Sequence, residues 1–319
     1  MELTYDDVVA AADRIAGRVR PVTIAPLGDG TVGDESPQVS LALEFLQHTG
    51  SFKARGAQNF IRTHQENGTL PAAGVTIASG GNAGLACAWA ARQSGVAATV
   101  FVPTTAPKVK VDRLVSYGAR VRLVGVEYSE ALAACDEFAA QSGALMSHAY
   151  DHPLIAAGAG TLMTEIQRLL PELDTVVVAV GGGGLFAGIA TVAEHFGIRT
   201  VAVEPDRCRA LNAAIAAGEL VDVPVDSIAA DSLGARRTTE LALKAAQKPS
   251  VHSVLVPDTA IVAARHTLWE DHRLAVEHAA ATTLAALETE VYRPQPGEQV
   301  CAILCGANTD PTDLTGPAA

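Results

Sequence analysis

Lys53 lies in the run Thr49-Gly50-Ser51-Phe52-Lys53-Ala54-Arg55-Gly56-Ala57 and is one of five lysines in a chain that carries most of its positive charge on arginine. Lys108 and Lys110 follow a Pro-rich turn, and Lys244 and Lys248 sit at a polar helix end before Pro249, where solvated lysines belong. Lys53 is flanked by small and apolar residues instead. A lysine held partly out of water loses preference for its charged form, and the neutral amine becomes a nucleophile or base able to bond a carbonyl carbon. Taken alone, the same residue also reads as a turn lysine with its head in solvent, so the other loops must decide.

Two glycine-rich loops bear on that choice. Val176-Val177-Val178-Ala179-Val180 runs into Gly181-Gly182-Gly183-Gly184 and then into an apolar helix opening at Leu185. Consecutive glycines after a strand let backbone amides converge on an anion, and the helix N-terminus adds partial positive charge, so a phosphate is the natural guest. A bare flexible turn would also use glycine, at a cost in chain entropy. The run is neither GxGxxG nor a Walker loop with its lysine. Ser79-Gly80-Gly81-Asn82-Ala83-Gly84 has the same strand-to-helix setting; its amides and the Ser79 hydroxyl suit a carboxylate, and the Asn82 amide suits a phenolate-like oxygen.

The frame for these loops is read from periodicity. A helix is expected over residues 5–19, stopped by Pro21, then a strand over 39–45 and a helix over 56–64. Strand and helix then alternate: 74–78 and 83–94, 97–102 and 108–117, 120–124 and 129–142. A second series has a helix over 160–169, a strand over 175–180, a helix over 185–196 and a strand over 199–203. Helices around Leu241, Ile261 and Val276 precede a closing strand over 299–304. Residues 28–36 and 228–237 read as loops. Short β-branched runs alternating with helices predict an α/β fold of open, mostly parallel sheets flanked by helices, with a ligand between two lobes at the strand C-termini.

Composition narrows the classes of partner. The chain has 319 residues and a formal net charge of −12, which disfavours nucleic acid and anionic membrane surfaces and leaves a small-molecule substrate as the default. The acidic N-terminus reads as no signal peptide, no apolar run is long enough to span a bilayer, and five cysteines without a CxxC pair fit a reducing, cytoplasmic compartment.

Lysine, glycine cup and second anion loop together resemble the fold type II pyridoxal-phosphate enzymes, with a tryptophan synthase beta-like fold, and within them the serine/threonine dehydratase branch that includes serine racemase. The likeness is carried by residues 46–53, 79–84 and 181–185, by Gly158-Ala159-Gly160-Thr161 with Glu165, and by Cys305-Gly306-Ala307-Asn308. It implies a large cofactor-binding domain over residues 1–70 and 149–319, a small substrate-loop domain over 71–148, and a homodimer. It implies that Lys53 bonds the cofactor and removes the substrate α-proton. Gly181, Gly182, Gly183, Gly184 and Leu185 hold the phosphate, Phe52 packs on the ring, Asn82 meets the ring hydroxyl, and Cys305 faces the ring nitrogen. Ser79, Gly80, Gly81, Asn82 and Ala83 hold the substrate carboxylate. The reaction so implied is elimination of water from L-threonine or L-serine to a 2-oxo acid and ammonia.

Several positions depart from that pattern. Gly80 stands where serine racemase has a second serine base, so racemisation loses its partner. Ser79, Gly80 and Ala83 replace the Thr-Ser-Gly-Asn-Thr-Gly form of cysteine synthase relatives. Glu204 matches a family cation ligand, but Ala210 stands where some members carry a second carboxylate, which leaves a monovalent ion on Glu204 and backbone carbonyls. Asp231-Ser232-Leu233-Gly234-Ala235 replaces a more common Asp-Gly form. His48 is close to Lys53 in sequence and is a candidate for touching the site, whereas His266, His272 and His278 read as solvated. The chain ends soon after Cys305, so no regulatory domain is expected. The competing readings are a dehydratase of another β-hydroxy amino acid such as 3-hydroxyaspartate, a β-replacement enzyme, and a non-catalytic protein that binds a phosphate ligand.

Overall fold

Val176, Val177 and Val178 form an unbroken apolar run, which is stable as a strand only where both faces are covered. In the computed structural model, which describes residues 2–28 and 36–315, that run lies at the centre of the larger of two sheets. Strands β1 (Ile24–Pro26) and β2 (Gln38–Ala42) begin this sheet. The chain then leaves to build a second sheet from β3 (Val75–Ala78), β4 (Ala98–Val102), β5 (Arg120–Leu123) and β6 (Leu145–Met146). It returns with β7 (Thr175–Ala179), β8 (Arg199–Pro205), β9 (Val251–Val256) and β10 (Gln299–Ile303). The orders are β1-β2-β10-β7-β8-β9 and β5-β4-β3-β6, and only the β1–β2 pair is antiparallel.

Helices follow the same excursion. They are α1 (Tyr5–Ile15) and α2 (Lys53–Glu66), then α3 (Asn82–Gln93), α4 (Lys108–Ser116) and α5 (Tyr128–Ser142) around the second sheet. With the larger sheet come α6 (Pro153–Leu169), α7 (Gly184–His195), α8 (Ala210–Ala217), α9 (Ala230–Leu233), α10 (Glu240–Ala246), α11 (Asp258–His272) and α12 (His278–Glu288). Each sheet has its own apolar core, and α2 packs on α6 of one and α3 of the other. Because β7 and β10 run parallel, Gly181 and Cys305 emerge at the same edge. No described helix is long and apolar enough to cross a membrane.

The βα alternation matches the sequence expectation, and the departures have physical reasons. Helix α1 ends at Ile15, where Ala16 leaves helical geometry and Gly17 turns left-handed, before Pro21 is reached. The strand expected over 39–45 stops at Ala42 and gives way to a short 3-10 turn at Glu44–Leu46. Lys53 is the first residue of α2 and not part of a preceding turn. Helix α6 begins seven residues before Gly160, at a Pro that suits a first turn, with the His152 ring capping the Leu154 amide. The loop expected over 228–237 contains α9, and Val276 precedes α12. Strands β1, β6 and β9 and helix α8 were not anticipated. Most of the loop expected at 28–36 falls outside the described residues.

Beneath the start of α2, Arg55 is fully buried among carboxylates. Its Nε donates to Glu44 at 2.7 Å and its Nη1 to Glu165 at 2.7 Å; Nη2 reaches both acids at 3.0 Å and the Arg20 carbonyl at 3.3 Å. Burial pushes the Glu44 carboxyl up against the pull of Arg55. Arg55→Ala therefore strands a buried acid and is expected to lower unfolding free energy by about 3–5 kcal/mol in urea titrations. Arg55→Lys should recover only part of that, because one ammonium cannot span both carboxylates. A loss below about 1 kcal/mol, the worth of an exposed pair, would refute this account.

Candidate active site

Between the two sheets lies a cavity of about 590 Å³, lined by Phe52, Lys53, the 79–83 loop, the 181–185 loop, Glu277 and Cys305. Lys53 enters it from the N-terminus of α2, with its Nζ 3.1 Å from the Ala149 carbonyl and 4.6 Å from the centre of the Phe52 ring. Burial lowers its pKa from 10.5 to about 8, more than the charges of Cys305 and Glu277 raise it. The amide of Phe52 donates to the Cys305 carbonyl at 3.0 Å, and Ser51 bridges to Gly306, so the lysine loop is pinned to the end of β10. Thr49 takes the left-handed conformation with φ 66°, a strained turn that these contacts hold.

The glycine cup admits no side chain. A Cβ on Gly182 would lie 2.3 Å from the Tyr150 ring, and one on Gly183, whose φ is 98°, would lie 2.4 Å from Ala242. Helix α7 starts at Gly184, and its first amides have no intrahelical partners and so face the cup. Cys305 closes the far side; burial, then the charge of Glu277, pushes its thiol up to about 12, so it is a neutral group at physiological pH. A cradle for a phosphate, a lysine of depressed basicity and a neutral thiol across the cavity fit pyridoxal phosphate.

Across the cavity, Ser79 Oγ accepts from the Gly81 amide at 3.4 Å, and Asn82 is the first residue of α3. Asn82 is already engaged: its Nδ2 donates to both oxygens of Glu277 at 3.0 Å, and its Oδ1 accepts from Asn308 Nδ2 at 2.7 Å. Only one Nδ2 hydrogen is left for a ligand. Residues 79–83, Phe52, Lys53, 181–185 and Cys305 are thus brought together as the sequence reading expected.

Other candidates fall elsewhere. His48 stacks on Trp89 at 4.8 Å and does not line the cavity, and burial lowers its basicity. His266, His272 and His278 are half-buried rather than solvated. Glu204 is buried and its carboxylate caps α8, accepting from Leu211 and Asn212 amides at 2.8 and 2.7 Å; burial pushes its pKa up to about 7. Among the described residues no group of three or more His, Cys, Asp or Glu could hold a metal ion. Glu277 and Tyr150 were not singled out in sequence, and Ser232 was noted only as part of a departure from the family form. Glu277 precedes an alanine-rich helix and is indistinguishable there from a helix-end surface acid.

Comparison with known proteins agrees with this geometry. The profile of the pyridoxal-phosphate dependent enzymes matches residues 21–306. The L-threonine ammonia-lyase of Geobacter sulfurreducens is 36% identical over 310 residues, 97% of this chain and 76% of that protein. The human serine dehydratase-like protein is 36% identical over 282 residues, 85% of each. A solved pyridoxal 5'-phosphate-dependent aspartate racemase superposes with a TM-score of 0.88 at 32% identity, covering 99% of this chain and 98% of its own.

An amine with a pKa of about 8 becomes nucleophilic as pH rises through that value, more than two units before the ordinary 10.5. Competitive labelling of cofactor-free protein with fluorodinitrobenzene, read by mass spectrometry of the Lys53 peptide, should therefore show a midpoint near pH 8. A midpoint near 10.5 would mean that the amine is solvated.

Proposed function

Because the chain belongs to the family of pyridoxal-phosphate-dependent enzymes, we propose that it is a lyase converting L-threonine and L-serine to 2-oxobutyrate and pyruvate with release of ammonia. The observation that carries this reading is the buried Lys53 amine of about pKa 8 facing an anion cup across one cavity. The names of the relatives point the same way.

In this reading Gly181 to Leu185 hold the cofactor phosphate, Phe52 packs against the ring, Cys305 offers a neutral thiol to the ring nitrogen, and Lys53 carries the cofactor. When bound, the cofactor supplies an electron sink for the pair left at Cα. Ser79 and the amides of the 80–83 loop orient the substrate carboxylate. Lys53, once freed by substrate, takes the Cα proton, which its depressed basicity allows at neutral pH. Loss of that proton and of the β-hydroxyl amounts to one water, and a water is regained as the enamine product hydrolyses to oxo acid and ammonia.

Gly80 leaves the opposite face of the substrate without a side-chain base, so racemisation is the minor reaction despite the likeness to an aspartate racemase. A cation beside Glu204 would have to share oxygens already used by α8, and no step is routed through it. Residues 71–148, which contain the smaller sheet, are assigned as the small domain, and 1–70 with 149–319 as the large one. Five buried free thiols support a cytoplasmic setting.

The test is spectroscopic and catalytic in one cuvette. Protein supplied with pyridoxal phosphate should show a visible-edge absorbance band that shifts on adding L-threonine or L-serine, with 2-oxo acid formed. Lys53→Ala should abolish the band and reduce turnover by about 10²–10⁴-fold or more. A band without oxo acid would redirect the reading to β-replacement or to another β-hydroxy acid, and no band would exclude it. Gly80→Ser, whose Cβ meets Val102 at 3.3 Å, should raise serine racemisation relative to elimination.

A further inference from the structure

Glu277 is only 6% exposed, yet it reaches the cavity. Its carboxylate accepts from three residues: Asn82 Nδ2 donates to both oxygens at 3.0 Å, Ser232 Oγ at 2.8 Å and the Asn308 amide at 2.7 Å. These donors come from separate parts of the fold: Asn82 opens α3 beside the smaller sheet, Ser232 lies in α9 and Asn308 follows β10. Arg265, itself buried, braces the two segments behind them, donating to the Val276 carbonyl at 2.7 Å and to Asp313 at 2.7 and 3.0 Å. Ser232 stands where the resembling family more often has glycine, which has no hydroxyl to donate.

We propose that Glu277 is a positioning residue for the elimination, clasping the Asn82 loop to α9 through Ser232 and presenting its negative charge to Lys53. The inference rests on reading Lys53 as the reacting amine. Asn82 is caught between Glu277 and Asn308, which fixes the plane of its amide and so the direction of its remaining N–H. The residues beside it, Ser79 to Gly81, receive the substrate carboxylate, so the clasp also sets the distance between substrate and the Lys53 side of the cavity.

The electrostatic half follows from what faces Lys53. The titratable groups coupled to it are Cys305 at the end of β10, Glu277 ahead of α12 and His148 in the segment after β6. Burial keeps the Cys305 thiol neutral and holds the His148 ring toward its neutral form. The anion opposing the desolvation of Lys53 is then Glu277. Its removal must favour the uncharged amine, lowering the labelling midpoint.

Two substitutions separate the two halves. Glu277→Gln removes the charge and keeps one acceptor oxygen for the clasp, whereas Ser232→Ala keeps the charge and opens the clasp at α9. Competitive labelling of Lys53 in the cofactor-free full chain should give a midpoint about one unit lower in Glu277→Gln and unchanged in Ser232→Ala. Steady-state kinetics of the holoenzyme with L-threonine should show the Ser232→Ala loss mainly in KM, by about tenfold for one lost hydrogen bond to a charged group, with rescue by Ser232→Thr. An unchanged midpoint in Glu277→Gln, or Ser232→Ala kinetics equal to the parent, would overturn the proposal. A parent midpoint near 10.5 would instead overturn the underlying reading of Lys53. If Glu277→Gln fails to fold, the KM effect of Ser232→Ala and its rescue still decide the clasp.

Discussion

A guanidinium without solvent contact, two residues past the lysine, sets the geometry on which the site depends. Arg55 spends its hydrogen bonds on Glu44, Glu165, Thr161 and the carbonyl of Arg20, so the 3-10 turn before α2, the helix α6 and the N-terminal segment all converge on one group. Such a cluster adds little net stability over an apolar core, because desolvation offsets its Coulomb energy. What it supplies is uniqueness of position, since a rotated α2 would not satisfy both carboxylates. Lys53 is two residues before Arg55 in the same helix and inherits that fixed azimuth.

Close packing carries the constraint outward. Gly158 and Gly160 lie inside α6, where glycine weakens a helix, yet a Cβ at 158 would sit 2.7 Å from the Arg55 carbonyl and one at 160 would sit 2.9 Å from the Gly188 carbonyl. Helices α2, α6 and α7 can therefore approach backbone to backbone. The two elements that deliver the amine and the anion cup, α2 and α7, are spaced by that contact. Local helix propensity is given up for the separation between Lys53 and the glycine cup.

The same trade explains what could be read from the residues and what could not. Val176 to Val178 and Val100 to Val102 announce buried strands, and the loops after β3 and β7 announce anion sites, because a local signal and a tertiary role coincide there. Helix α6 was half hidden because its Ala-Gly-Ala-Gly stretch looks like a break until its neighbours are known. Strand β9 carries His252 and Ser253 in its middle and is half-buried at the sheet edge, so its pattern is weak. Glu204 matched a family cation ligand in sequence, and residue type alone does not tell that an acid near the end of β8 accepts from the first amides of α8. Glu277 was invisible for a related reason: its partners are 195 residues away at Asn82 and 45 away at Ser232, and no periodicity encodes that meeting.

In the proposed reaction the asymmetry of the cavity is what would turn a general amino-acid site toward elimination. Lys53 brings to the cavity an amine that is neutral for part of its time at physiological pH, whereas Gly80 brings only backbone. In the proposed reaction a proton removed by Lys53 would find no side-chain acid at Gly80 to replace it from behind, which would slow return to the opposite configuration. Cys305 would add to this in the proposed reaction: burial keeps its thiol neutral, so it would offer the cofactor no full charge. In the proposed reaction one change of residue type, glycine for serine at position 80, biases the proton abstraction toward loss of water.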